Sequence, residues 1–223
     1  MDTGNRIHLG WHAPATNRIG HAIYDPVAGS WSGAQFLYNG TASVPVKYMQ
    51  VEVDRSGTVH YLWHEGDPDI PGNSTDVRYA RMPAGATGFT VRADPLNLSS
   101  APNAAFPIAH FGGCDGSVLA VAWREEIAAN NWDVKMNVSI DNGVTWRATP
   151  LIVADGPGRE WDPMILVDRH NIVHLTYPRK NGILSAMRYL RYDNVAALFS
   201  QLDNRAVPLS DEPLTPEGES HEL

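Results

Sequence analysis

Apolar and polar residues follow one another along this chain in short runs broken by turn residues, and the runs recur. In four segments a turn opens onto an apolar strand that closes on an aromatic residue: Asp2 to His12, Asp54 to His64, Asp115 to Arg124 and Asp168 to Pro178. The closing aromatics Trp11, Trp63, Trp123 and Tyr177 stand 52, 60 and 54 residues apart. Three of the turns read Asp-x-x-Gly or Asp-x-x-Asn. Aspartate favours the turn start, and glycine or asparagine accepts a left-handed backbone. Strands are predicted before the later turns (48–53, 106–111, 164–167) and after each aromatic strand (20–24, 76–81, 133–140, 184–192). A further strand is predicted at Arg92–Leu96, Arg147–Leu151 and Arg205–Leu209, which all read Arg-Ala-x-Pro-Leu. Proline in a strand is tolerated at a sheet edge, so these read as outer strands.

A unit of four antiparallel strands repeating every 50–60 residues or so predicts an all-β protein, a β-propeller of about four four-stranded blades. The apolar run Thr58–Trp63 is unalternating, as expected where neighbouring sheets cover both faces. A β-sandwich of similar strands explains the long period less well. The expected blades are 1–44, 45–101, 102–156 and 157–209, with an acidic, flexible tail at 210–223. The first blade lacks its inner strand; either the tail supplies it, or another copy of the chain or a partner does, which is the expectation, or the chain is a piece of a larger ring. Helix is expected only in loop segments such as Val195–Leu202.

Composition narrows the partners. Glycine and proline number 19 and 16 in 223 residues, which suits tight turns. A net charge of −8 argues against nucleic acid or an anionic membrane as partner. The single cysteine excludes an internal disulfide framework. No apolar run approaches the roughly 20 residues of a membrane helix, and Met1–Arg6 shows no signal-peptide core; compartment stays unassigned. His8/His12 and His60/His64 lie at opposite ends of strands, about 13 Å apart, too far for one metal. His8, His60 and His174 share one repeat position, which favours a structural role. Asp67 and Asp69 lack the further ligands of a calcium loop. No metal and no cofactor is expected.

Ser139-Ile140-Asp141-Asn142-Gly143-Val144-Thr145-Trp146 fits Ser-x-Asp-x-Gly-x-Thr-Trp and resembles the Asp box, or BNR repeat, of the sialidase-like propellers. A degenerate echo occurs at Tyr24–Trp31. The aspartate accepts hydrogen bonds within the turn and the glycine takes a positive φ. In that family the box is structural and lies away from the substrate, so the resemblance implies that the opposite rim is functional. That rim carries the loops between second and third strands and the links between blades. It holds His64, Glu125, Glu126, Arg124, Trp132, Arg159, Glu160, Trp161, Asp162 and Arg179. The resemblance implies arginines that bind a sugar carboxylate, here Arg124, Arg159 and Arg179. It also implies a tyrosine nucleophile with a glutamate base and an aspartate acid, here Tyr177, Glu160 and Asp162. Trp132 and Trp161 offer ring faces for sugars, and His64 joins the ligand-binding set. Each residue has a plainer reading: Tyr177 stands where the other repeats place a packing tryptophan, and Asp162 precedes a proline. The expected function is glycan recognition or processing, with a glycan or small acidic sugar as ligand. The alternative is a non-enzymatic assembly propeller that binds a protein.

Overall fold

The computed structural model describes residues 1–41, 44–54, 56–66, 76–84, 86, 96–97, 104–112, 117–128, 131–181, 184–200, 205–206, 208 and 210–213. The chain divides into two compact units, Met1–Pro102 and Asn103–Leu223. It is nearly all β.

Unit 1 holds two sheets. In the first, β1 (Ile7–Ala13) pairs antiparallel with β2 (Arg18–Asp25), and the far edge of β2 is shared by β3 (Ser30–Trp31) and β4 (Gln35–Asn39). Gly20 lies opposite Trp11 on β1, and a Cβ at Gly20 would fall 2.3 Å from the indole. A glycine is needed there so that the ring can lie across the strand. The second sheet is the meander β5 (Val46–Val53), β6 (Val59–Glu65), β7 (Asp76–Met82) and β8 (Leu96–Asn97). Ile19 and Leu37 of the first sheet pack with Val46, Val59, Tyr61 and Trp63 of the second in one core. All of β6 is buried, as its unalternating apolar run requires.

Unit 2 holds two more meanders, β9 (Ala104–Gly112) to β12 (Leu151–Ala154) and β14 (Met164–Val167) to β17 (Ser210–Pro213). Their inner members are β10 (Val118–Ala128) and β11 (Asn131–Ser139), and β15 (Val173–Asn181) and β16 (Leu184–Tyr192). A two-residue strand, β13 (Arg159–Glu160), pairs parallel with β11 and antiparallel with β15, joining the two meanders into one nine-stranded sheet. The short helix α1 (Val195–Ser200) starts on Asn194, whose Oδ1 accepts from the Ala196 amide at 2.9 Å. Arg147 Nη1 donates to the Leu198 carbonyl near its other end at 3.1 Å.

The fourth strands differ from expectation. In the third unit Arg147 to Pro150 precede β12, which starts at Leu151. In the last unit Arg205 makes an isolated parallel bridge to Ile152, and the edge beside β16 is taken by β17. Proline has no N–H to donate, so the ladder forms after it rather than through it. The tail expected to begin loosely at 210 therefore starts as a strand. Residues 92–95, where the same motif begins in the second unit, lie outside the described residues.

The three described Asp turns follow one design; Asp115 and Gly116 of the fourth lie outside the described residues. The third residue after the aspartate is left-handed in each: Asn5 at φ 58°, Gly57 at 85° and Asn171 at 64°. The aspartate amides donate to the carbonyls of Arg6, Thr58 and Ile172 at 2.9–3.1 Å. The histidine six residues on meets the same carboxylate, His8 with Asp2 at 3.1 Å, His60 with Asp54 at 3.2 Å and His174 with Asp168 at 3.8 Å. Its other nitrogen meets the next strand: His21 at 3.1 Å, the Tyr79 hydroxyl at 2.7 Å and the Tyr189 hydroxyl at 2.7 Å. The recurring histidines thus tie turn to sheet. Burial raises the Asp54 carboxyl, but hydrogen bonds from His60, Ser56 and the Thr58 amide outweigh it and hold it at about 2.

Candidate functional site

The proposed rim residues of unit 2 gather around β13. Its place is set by backbone pairing: the Trp132 amide donates to the Gly158 carbonyl at 3.2 Å and the Trp161 amide to the Pro178 carbonyl at 3.3 Å. The register sets Trp132 beside Arg159, and Glu160 opposite Arg179.

Three arginines then find three kinds of partner. The Arg124 guanidinium lies over the Trp132 ring at 4.5 Å and meets Asp162 at 3.2 Å. That aspartate is solvent-facing, its side chain 64% exposed, and its backbone takes φ 41° just before Pro163. Arg159 lies over Trp161 at 5.5 Å. Arg179 Nε stands 3.2 Å from Glu160 Oε1, an ion contact without the alignment of a hydrogen bond. A Cβ at Gly156 would fall 2.6 Å from Arg179 Nη2 and 2.7 Å from Glu160 Oε1, so the ends of both side chains would have to shift to admit one.

Glu160 is 1% exposed, and its Oε2 has no hydrogen-bond partner among the described residues. Burial pushes its carboxyl up to about 7. Arg179 pulls it down, while the charges of Asp133 and Asp155 push it further up. Two more buried carboxylates, Glu125 and Asp133, face each other across β10 and β11. Both are raised by burial first, against the pull of Lys135. Asp155 is lowered instead, because Arg205 forks onto it, with Nη2 to Oδ1 at 2.9 Å. A carboxyl poised near neutrality can give or take a proton, and flat arginines can take up a carboxylate.

Arg124, Trp132, Arg159, Glu160, Trp161, Asp162 and Arg179 come together in unit 2. Tyr177 does not join them at the surface. It is 5% exposed in the unit 2 core, where the other repeats place Trp63 and Trp123. A nucleophile must reach its substrate, and this ring packs. His64 belongs to unit 1 and is fully buried. Asp67 and Asp69 lie outside the described residues. The sequence did not single out Asp133, Lys135 and Asp155.

The missed residues had a signal in the repeat. Trp63-x-Glu65 on β6 faces Asp76-x-Arg78 on β7, and Trp123-x-Glu125 on β10 faces Asp133-x-Lys135 on β11, in the same register. Arg78 bridges both carboxylates, to Glu65 at 2.8 Å and Asp76 at 3.1 Å. Lys135 reaches Asp133 at 3.6 Å.

The turn over Ser139–Trp146 closes as its residues require. Ser139 Oγ donates to Asp141 Oδ1 at 2.9 Å and accepts from the Gly143 amide at 2.9 Å. Asp141 also accepts from the Thr145 amide at 2.8 Å and the Thr145 hydroxyl at 2.6 Å. Gly143 takes φ 72°. Trp146 is half-buried.

No protein-family model matches the chain, and no curated protein matches it. Among solved structures it is similar to a point mutant of the NanB sialidase from Streptococcus pneumoniae, with 13% identity and a TM-score of 0.45. The match covers 78% of this chain and 26% of that one, so the chain spans about a quarter of that structure's length.

Proposed function

We propose that the chain is a sialidase-like propeller module of four blades that recognises acidic glycans through the unit 2 rim. The observation that carries this reading is Arg124, held over the Trp132 ring with an exposed aspartate as its ion partner. The Arg124 side chain is only 16% exposed while Asp162 faces solvent, so an incoming sugar carboxylate would take the aspartate's place on a half-buried guanidinium. The indole behind the guanidinium offers a ring face to the same ligand. Arg159 on Trp161 repeats the arrangement one strand away and adds local positive potential against the net charge of −8.

A hydrolytic extension of the reading would use Glu160, whose carboxyl at about 7 suits a general acid at neutral pH, and requires the Gly156 loop to open, since the side chain is 1% exposed. Arg179 opposite it is the third arginine of the set.

The test is titration of wild type, Arg124→Ala and Arg159→Ala against neutral and acidic oligosaccharides. Loss of a charge-assisted fork costs about 1.5–3 kcal/mol, so each variant should bind acidic glycans roughly ten- to a hundredfold more weakly. No binding by folded wild type to any acidic member moves the reading to a protein-binding assembly module. Turnover of a sialoside, lost in Glu160→Gln, establishes the hydrolytic extension.

A further inference from the structure

Unit 1 holds an aromatic residue that its backbone presents to solvent in an unusual way. Between Lys47, opposite His64, and Gln50, opposite Leu62, the ladder of β5 and β6 slips. Tyr48 and Met49 together face the single residue Trp63, which makes a β-bulge. Tyr48 takes φ 50°, a left-handed backbone that a bulky residue rarely adopts. The bulge sends Met49 inward, against the unit 1 core, and leaves the Tyr48 ring 54% exposed. Bulges of this kind re-aim a side chain, and they gather next to binding sites.

The ring is backed from beneath. The His64 imidazole, fully buried, lies 4.8 Å from the Tyr48 ring at an interplanar angle of 59°. His64 stands in its repeat where Arg124 stands in the next, one residue after the closing tryptophan. Both therefore hold an aromatic ring, Tyr48 in unit 1 and Trp132 in unit 2. A strained backbone, a bulge and a buried ring beneath all act to keep one phenol exposed in a fixed place. Hydrophobic burial alone would turn the ring inward.

We propose that Tyr48, positioned by His64, is a stacking subsite for the apolar face of a pyranose ring in a neutral stretch of an oligosaccharide. The proposal rests on the glycan reading above and gives unit 1 a sugar contact of its own that does not depend on charge. Arg124 selects for a carboxylate, whereas Tyr48 stacks on a sugar whether or not it is charged.

The test uses the full chain and calorimetric titration with neutral cello-, xylo- and chito-pentaoses and with acidic oligosaccharides. Tyr48→Ala and Tyr48→Gly should weaken binding of the neutral members by about three- to tenfold, and Tyr48→Phe should bind as wild type. Tyr48→Gly relieves the left-handed strain, so its melting temperature should equal or exceed that of wild type, which separates lost binding from lost folding. Binding that is unchanged in Tyr48→Ala and Tyr48→Gly but weakened in Arg124→Ala overturns the subsite and leaves the unit 2 rim standing. Wild type that binds no member of the panel overturns both.

Discussion

Glu160 and Arg179 face each other across a two-residue strand, with 3.2 Å between carboxylate and guanidinium and no side chain on Gly156 to separate them. Gly156→Ala would place a methyl group within 2.7 Å of both partners. The pair must part or the loop must move. Both close atoms are the ends of flexible side chains, so we expect a loss of about 1 kcal/mol or less, read from the urea midpoint, with the effect suppressed in a Glu160→Ala background.

Glu160 should also make stability depend on pH. Its folded pKa of about 7 lies above the ordinary value of 4.5, so the folded state holds the proton more tightly than the unfolded chain. The penalty of a buried charge is absent below about pH 4.5 and complete above about pH 7. Glu160→Gln, which mimics the protonated form, should match wild type at pH 4.5 and exceed it by about 1–3 kcal/mol at pH 8. A constant difference across that window would refute the assignment.

Asp54 should act with the opposite sign. Its carboxyl is held at about 2, below the ordinary 3.8, so it stabilises the fold above pH 4 and the contribution fades as pH falls through 2. Asp54→Asn should cost about 1–3 kcal/mol at pH 7 and much less at pH 2. Tyr79→Phe removes the hydroxyl 2.7 Å from His60 and should cost about 0.5–1.5 kcal/mol. The double variant should fall short of additivity, because both act through His60.

Asp141 tests the separation of scaffold from site. Asp141→Ala removes an acceptor for the Thr145 amide, the Thr145 hydroxyl and Ser139. A loss of about 1–2 kcal/mol in thermal stability is expected, with oligosaccharide affinity unchanged.

The period of turns and aromatics was enough to place most strands, and β14 and β16 run where the pattern put them. Turn chemistry is local: an aspartate and a left-handed glycine or asparagine lie within four residues, so Asp54 and Gly57 can be read together. The rest depends on partners that sequence spacing hides. β13 is two residues long, too short for any periodicity, and exists because β11 and β15 flank it. The Tyr79 partner of His60 lies 19 residues away. The bulge at Tyr48 shows in the sequence only as a one-residue slip in alternation, the apolar positions running 46 and 48, then 49, 51 and 53. Tyr177 was legible both ways, since a tyrosine in a packing position has the residue type of a nucleophile. Its burial settles where the ring lies.

The bridging strand β13 gives unit 2 a property that neither meander has alone. Its backbone bonds to β11 on one side and β15 on the other, and its side chains are Arg159 and Glu160. Amides in the two meanders should therefore exchange with solvent as one cooperative block, with similar opening energies on both sides of the bridge. A ligand held by Arg159 would slow exchange in strands it never touches, so binding could be read far from the sugar itself.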